Sequence, residues 1–183
     1  MTDALDPPPG TPLPRRHPDA PAPGTLMPAH YESCYGCGNR HPAGLHVRVT
    51  AQQGVRVAAE FEVTDLHQGA PGLAHGGVLV AAFDEVLGYL LWILREPGVT
   101  ARLETRFHHP VPVGRRVHIA AECIGMAGRK VYCSATGRLD GPDGVIAVRA
   151  AALFLTVPLT HFTTYGWADV PARYGGQGGP FNP

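Results

Sequence analysis

Along most of this chain apolar residues recur at every second position, and in one stretch they run on without a break. Val55, Val57, Ala59, Phe61 and Val63 are separated by positions that include Arg56, Glu60 and Glu62, the period of a strand with one buried and one wet face. The same alternation sets Leu103, Thr105 and Phe107 against Arg102, Glu104 and Arg106, and Val117, Ile119, Ala121 and Cys123 against Arg116, His118 and Glu122. Residues 131–136 and 145–157 continue the series, divided by Asp140-Gly141-Pro142-Asp143-Gly144, a turn-forming run suited to a hairpin. Residues 125–128 close another hairpin, and residues 45–50 form an opening strand that turns at Gln53-Gly54.

Residues 78–94 show no two-residue alternation and would span about 25 Å as a helix, so they predict one helix. Apolar on nearly every side, that helix should be surrounded by protein. One buried helix with about six antiparallel strands, two before it and four after, most simply forms an α+β fold in which a curved sheet wraps round the helix.

The two ends differ in composition from the middle. Residues 1–28 hold nine of the chain's 19 prolines and little that is apolar, and predict a disordered or loosely laid arm. Residues 166–183 are again rich in Gly and Pro and read as a tail, which leaves 29–165 as one domain. With 15 basic and 15 acidic side chains the formal charge is zero, which favours neither nucleic acid nor an anionic membrane as partner. No basic segment followed by an apolar one opens the chain, and the long apolar run carries two acids, so the expectation is a cytoplasmic protein with no membrane span.

The four cysteines are then expected as thiols. Cys34-Tyr35-Gly36-Cys37 has the spacing of half a zinc ribbon and His41 could be a third ligand, but the chain lacks a second matching pair. The expectation is no metal and a turn that depends on Gly36 and Gly38, with Cys123 and Cys133 packing as small apolar groups in strands.

The chemistry gathers on the helix. Asp84 and Glu85 stand in the middle of the apolar run, where an acid costs several kcal/mol unless it is paired or used. His75-Gly76-Gly77 stands at the start, where backbone N–H groups lack internal partners and lie at the positive end of the helix dipole. Ala81 and Gly88, one turn either side of Asp84, leave space above its carboxylate. Glu85 lies about 100° further round the helix, so only one of the two acids can face a given cleft; for Glu85 an ion pair with a strand arginine is expected.

Three stretches, residues 71–77, residues 84–88 and residues 100–112, follow one another in an order and spacing that resembles the hotdog-fold acyl-CoA thioesterases, particularly the phenylacetate-pathway-like branch. The likeness covers about residues 34–159. It implies hydrolysis of an acyl-CoA thioester without a cofactor, with Asp84 as nucleophile or as base for water and the Gly76 amide polarising the carbonyl. It also implies site roles for His75 and Thr100, and it points to Gln68 as a holder of the attacking water. Gly77 and Gly88 would border the substrate. Arg129 and Lys130, exposed like Arg115 and Arg116, could meet the phosphates of coenzyme A.

Eight residues separate Gly76 from Asp84, about 12 Å along one helix at about 1.5 Å each. One thioester carbon cannot touch both, so joint action requires a second subunit with an antiparallel helix and a two-fold axis. The expected assembly is a homodimer with sites at the subunit boundary, or a dimer of dimers. Two rival readings are a hotdog dehydratase or hydratase, in which His67 would move protons, and a module that binds acyl-CoA without cleaving it.

Overall fold

The computed structural model describes residues 5–166. The tail expected over 166–183 lies outside the described residues except for Gly166.

The period-two segments form six strands: β1 (Arg48–Ala51), β2 (Arg56–Glu62), β3 (Gly98–Phe107), β4 (Arg116–Ala127), β5 (Lys130–Leu139) and β6 (Ile146–Thr156). The apolar run forms helix α1 (Gly76–Leu94), and a short helix α2 (Thr160–Tyr165) follows the last strand. All six strands join one antiparallel sheet in the order β1-β2-β4-β5-β6-β3. Two strands precede the helix and four follow it, and the sheet curves round α1 as the pattern predicts.

The sheet's inner face supplies Val57, Phe61, Val117, Ile119, Val131 and Phe154, and α1 supplies Phe83, Val86, Leu87, Leu90 and Ile93, all buried. Each such side chain contributes about 1.5–3 kcal/mol on burial. Cys123 and Cys133 are buried free thiols opposite one another on β4 and β5, packed within this core as expected.

Two expectations about faces change. The helix begins at Gly76, two residues before the apolar run, because His75 caps it from an extended conformation. It is also not enclosed on all sides: Gly77, Ala81, Asp84, Gly88 and Trp92, spaced three or four apart, form a less buried stripe. By length and composition α1 could cross a bilayer, but its remaining faces are covered by the sheet. Phe107, expected on the inner face of its strand, is 53 % exposed, since β3 lies at the sheet's edge.

The proline-rich arm, over its described residues, lies against the domain. Gly24 and Met27 donate to the carbonyls of Ala51 and Val49, and Ala51 donates back to Thr25, so the arm runs along the outer edge of β1. His17 N–H reaches the carbonyl of Ile93, and the Arg95 guanidinium reaches the carbonyl of Asp19 at 3.1 Å. Prolines withhold donors from this arm, and the amides of His17, Gly24 and Met27 make its backbone bonds to the domain. Leu5 and Met27 supply the apolar anchors.

Candidate active site

Asp84 lies half-buried at the midpoint of α1, on the less buried stripe and beside the edge strand β3. Thr100 Oγ1 donates to its Oδ1 at 2.8 Å, which leaves Oδ2 as the carboxylate oxygen open to a reactant. Two features of β3 bring Thr100 there. Gly98 lets the strand pass close to the helix, since a Cβ at that position would stand 3.0 Å from both Leu91 Cδ1 and the Leu155 carbonyl oxygen. The register against β6 then slips between Thr100 and Arg102, and a bulge of this kind re-aims the side chain beside it.

Asp84 and Thr100 line a cleft of about 230 Å³ together with His30, Glu85, Gly88, Trp92 and Phe154. Tyr89 and Trp92 stack in its wall with ring centroids 5.5 Å apart. A Cβ on Gly88 would meet nothing within 4 Å, so the space above the carboxylate expected from the sequence is present.

Gly76 opens on a different hollow, of about 260 Å³, lined by Leu79, Phe107, His108 and Pro110. Its N–H is the first of the helix and takes no partner among the described residues. His75 Nδ1 accepts the Gly77 N–H at 2.9 Å, which fixes the cap and, in the neutral ring, puts the proton on Nε2. The three residues of the His-Gly-Gly run are therefore one unit in which one amide is engaged and another is available. Asp84 with Thr100 form a second unit, and within one chain the two face separate spaces.

Other candidates lie elsewhere. The Gln68 amide donates to Asp65 and accepts from the Gly72 N–H at 2.7 Å, so it folds its own turn. Arg129 donates to the Thr156 carbonyl at 2.8 Å, and Lys130 opens β5 as an exposed cation; neither lines the Asp84 cleft. His67 is buried, its Nδ1 accepting from the Thr64 N–H at 3.0 Å and its Nε2 lying 3.3 Å from the Gly44 carbonyl oxygen. With both nitrogens committed to backbone it joins two loops, an arrangement unsuited to the proton transfer a dehydratase would ask of it.

Glu85 corrects an expectation. It meets no strand arginine in its ion pair but His30, whose Nδ1 is 3.2 Å from Oε1, and Cys34 Sγ lies 3.5 Å from Oε2. Burial alone would lower the His30 pKa, but its contacts with Cys34 and Glu85 raise it to about 10. The neighbouring Cys37, with His30, holds the Cys34 thiol down at about 3, while Cys34 and burial push Cys37 up. His41, the third ligand suggested by the sequence, is not in this group; its ring stands edge-on to Tyr35. Sequence reasoning missed His30, although its place four residues before Cys34 was a readable signal.

A family model described as the thioesterase superfamily matches residues 71–146, the stretch from the His-Gly-Gly turn to the start of β6. Over that stretch the chain is similar to the thioesterase superfamily, and its six-stranded sheet curved round one helix is the hotdog fold. Among curated proteins it is 30% identical over 100 residues to acyl-coenzyme A thioesterase THEM4 of Xenopus laevis, covering 55% of this chain and 45% of that one. It is 29% identical over 92 residues to acyl-coenzyme A thioesterase THEM5 of Mus musculus, covering 50% and 37%. The chain thus spans less than half the length of these curated relatives. Among solved structures, the thioesterase superfamily protein RHA08564 superposes with a TM-score of 0.61 at 26% identity, over 75% of this chain and 70% of that one. A hypothetical thioesterase of Streptococcus pneumoniae solved with coenzyme A gives 0.57 at 17% identity over 61% and 85%. The PaaI protein of E. coli gives 0.58 at 12% over 62% and 81%. At those last identities the likeness concerns the superfamily fold alone.

Proposed function

We propose that this hotdog-fold chain hydrolyses an acyl-CoA thioester to the free acid and coenzyme A. The observation that carries the reading is Asp84, an acid on an otherwise apolar helix, held by the Thr100 hydroxyl at the floor of a cleft. The names of the curated relatives, acyl-coenzyme A thioesterases, and a similar fold solved with coenzyme A support that substrate class.

With Thr100 on Oδ1, Oδ2 either takes a proton from water, whose oxygen adds to the thioester carbon, or itself adds as nucleophile. The carbonyl oxygen becomes an oxyanion, and the Gly76 amide of a partner subunit donates to it. Collapse expels coenzyme A as a thiolate; if Asp84 has added, water then hydrolyses the acyl-aspartate anhydride. A thiolate leaves readily without strong protonation, so the step draws on the chain's own groups and needs no cofactor. The separate outlooks of Gly76 and Asp84 support a homodimeric site, since each half lacks what the other supplies.

The test is thiol release from a panel of aryl- and fatty-acyl-CoA substrates by wild type and Asp84→Ala, matched for folding by circular dichroism. The expected result is turnover in the wild type that Asp84→Ala abolishes. Equal rates in both would sink the mechanism. Measurable acyl-CoA affinity without turnover in the wild type would replace it with a binding module.

A further inference from the structure

The loop before β1 and the outer side of α1 converge on one point. His30 Nδ1, the Sγ atoms of Cys34 and Cys37, and a carboxylate oxygen of Glu85 all lie within 4.8 Å of one another. Cys37 Sγ is 3.0 Å from His30 Nδ1, His30 Nδ1 is 3.2 Å from Glu85 Oε1, and Cys34 Sγ is 3.5 Å from Glu85 Oε2. A tetrahedral zinc with bonds of about 2.3 Å to sulfur and about 2.0 Å to nitrogen or oxygen sets its donors roughly 3.3–3.8 Å apart. Those three separations are close to that size, and the whole group stays within 4.8 Å.

Three further observations fit a cation better than a set of mutual hydrogen bonds. Glu85 Oε1 is buried without a hydrogen-bond partner although His30 Nδ1 is 3.2 Å away: the two atoms are close but not aligned on each other, as expected of groups aimed at a common centre. The Gly36 N–H points at Cys34 Sγ at 3.3 Å, the contact that steadies a sulfur bearing charge. And the loop is built round Glu85: a Cβ at Gly36 would fall 2.2 Å from its Oε2, so only glycine lets the cysteine turn close over the carboxylate.

We propose that His30, Cys34, Cys37 and Glu85 form a zinc site. Four protein donors of N, S, S and O type close a tetrahedron, the pattern of a structural rather than a reacting zinc. The ion would fasten the cysteine loop to α1 at the residue next to Asp84, and its ligands His30 and Glu85 form part of the wall of the Asp84 cleft. The half-ribbon spacing of the cysteines is thereby completed by a histidine from upstream and an acid from the helix, not by a second cysteine pair.

The test uses the full chain, free of any affinity tag, purified without chelator from zinc-supplemented cells. Elemental analysis is expected to find one zinc per chain. After removal of zinc, added Co²⁺ should give the visible absorption of a tetrahedral site with thiolate-to-cobalt charge transfer. Cys34→Ser and Cys37→Ser should weaken that charge transfer, and Glu85→Gln should keep it while lowering zinc affinity more than about tenfold. A folded wild type that carries no zinc and gives no thiolate–cobalt spectrum overturns the site, as does a spectrum unchanged in both cysteine variants. Metal content is read without any turnover, so this outcome is independent of the hydrolysis reading.

Discussion

Thr100 shows how a single side chain can be half legible. A threonine at the head of a strand is unremarkable in sequence, and only the resemblance gave it a role; its contact with Asp84 depends on Gly98 and on the register slip beside it, neither of which a pattern of apolar positions encodes. A hydrogen bond to a carboxylate is worth about 1.5–3 kcal/mol, so Thr100→Ala should slow thiol release about tenfold to a hundredfold, and Thr100→Ser should recover most of the rate. Steady-state kinetics on the three proteins decide it, and an unchanged kcat in Thr100→Ala would remove Thr100 from the reaction. Asp84 was legible because a carboxylate in an apolar run demands a reason. Glu85 demanded one equally, but its partners lie in a turn with no periodicity, 51 residues upstream in the case of Cys34, and the guess of an arginine was drawn from the strands nearby.

Among the elements, six strands and one helix were readable because a two-residue period and an unbroken apolar run leave few alternatives. Their order in the sheet was not, since alternation gives a strand its faces and says nothing about its neighbours; β3 crosses to the far edge beside β6. Edge placement is also why Phe107 is exposed where the pattern put it inside. The helix yields a prediction of its own kind. Gly88 weakens α1 by about 1 kcal/mol relative to alanine, yet it stands on the open side of the cleft with nothing within 4 Å of a Cβ. Gly88→Leu should therefore match or exceed the wild type in thermal stability while losing turnover, because leucine restores helix propensity and fills the space above Asp84. A variant with a raised Tm and undiminished kcat/KM would show that the cleft does not hold the acyl group.

For the whole molecule the proposed function makes one demand that can be tested: a productive site should take its two halves from different chains. Gly76→Pro tests this cleanly. Proline is favoured at the first position of a helix and removes only the N–H, and His75 before it already has the extended backbone, φ −68 and ψ 132, that a following proline requires. Gly76→Pro and Asp84→Ala should each be inactive alone. Coexpressed in equal amounts they should regain about a quarter of wild-type activity, since half of the random pairs are mixed and each mixed pair holds one intact site. A mixture as inactive as its parents, with both variants shown to pair, would place both halves in one chain. The arm along β1 bears on what can assemble. Val49 and Ala51 make their outward hydrogen bonds with residues 24–27, accepting from Met27 and Gly24 and donating to Thr25, whereas β3, at the other end of the sheet, has β6 as its only strand neighbour among the described residues. A sheet with one margin sealed by its own chain and one left bare can be lengthened once and no further, so edge-to-edge growth stops at a pair and the arm works as a chain terminator against fibre formation.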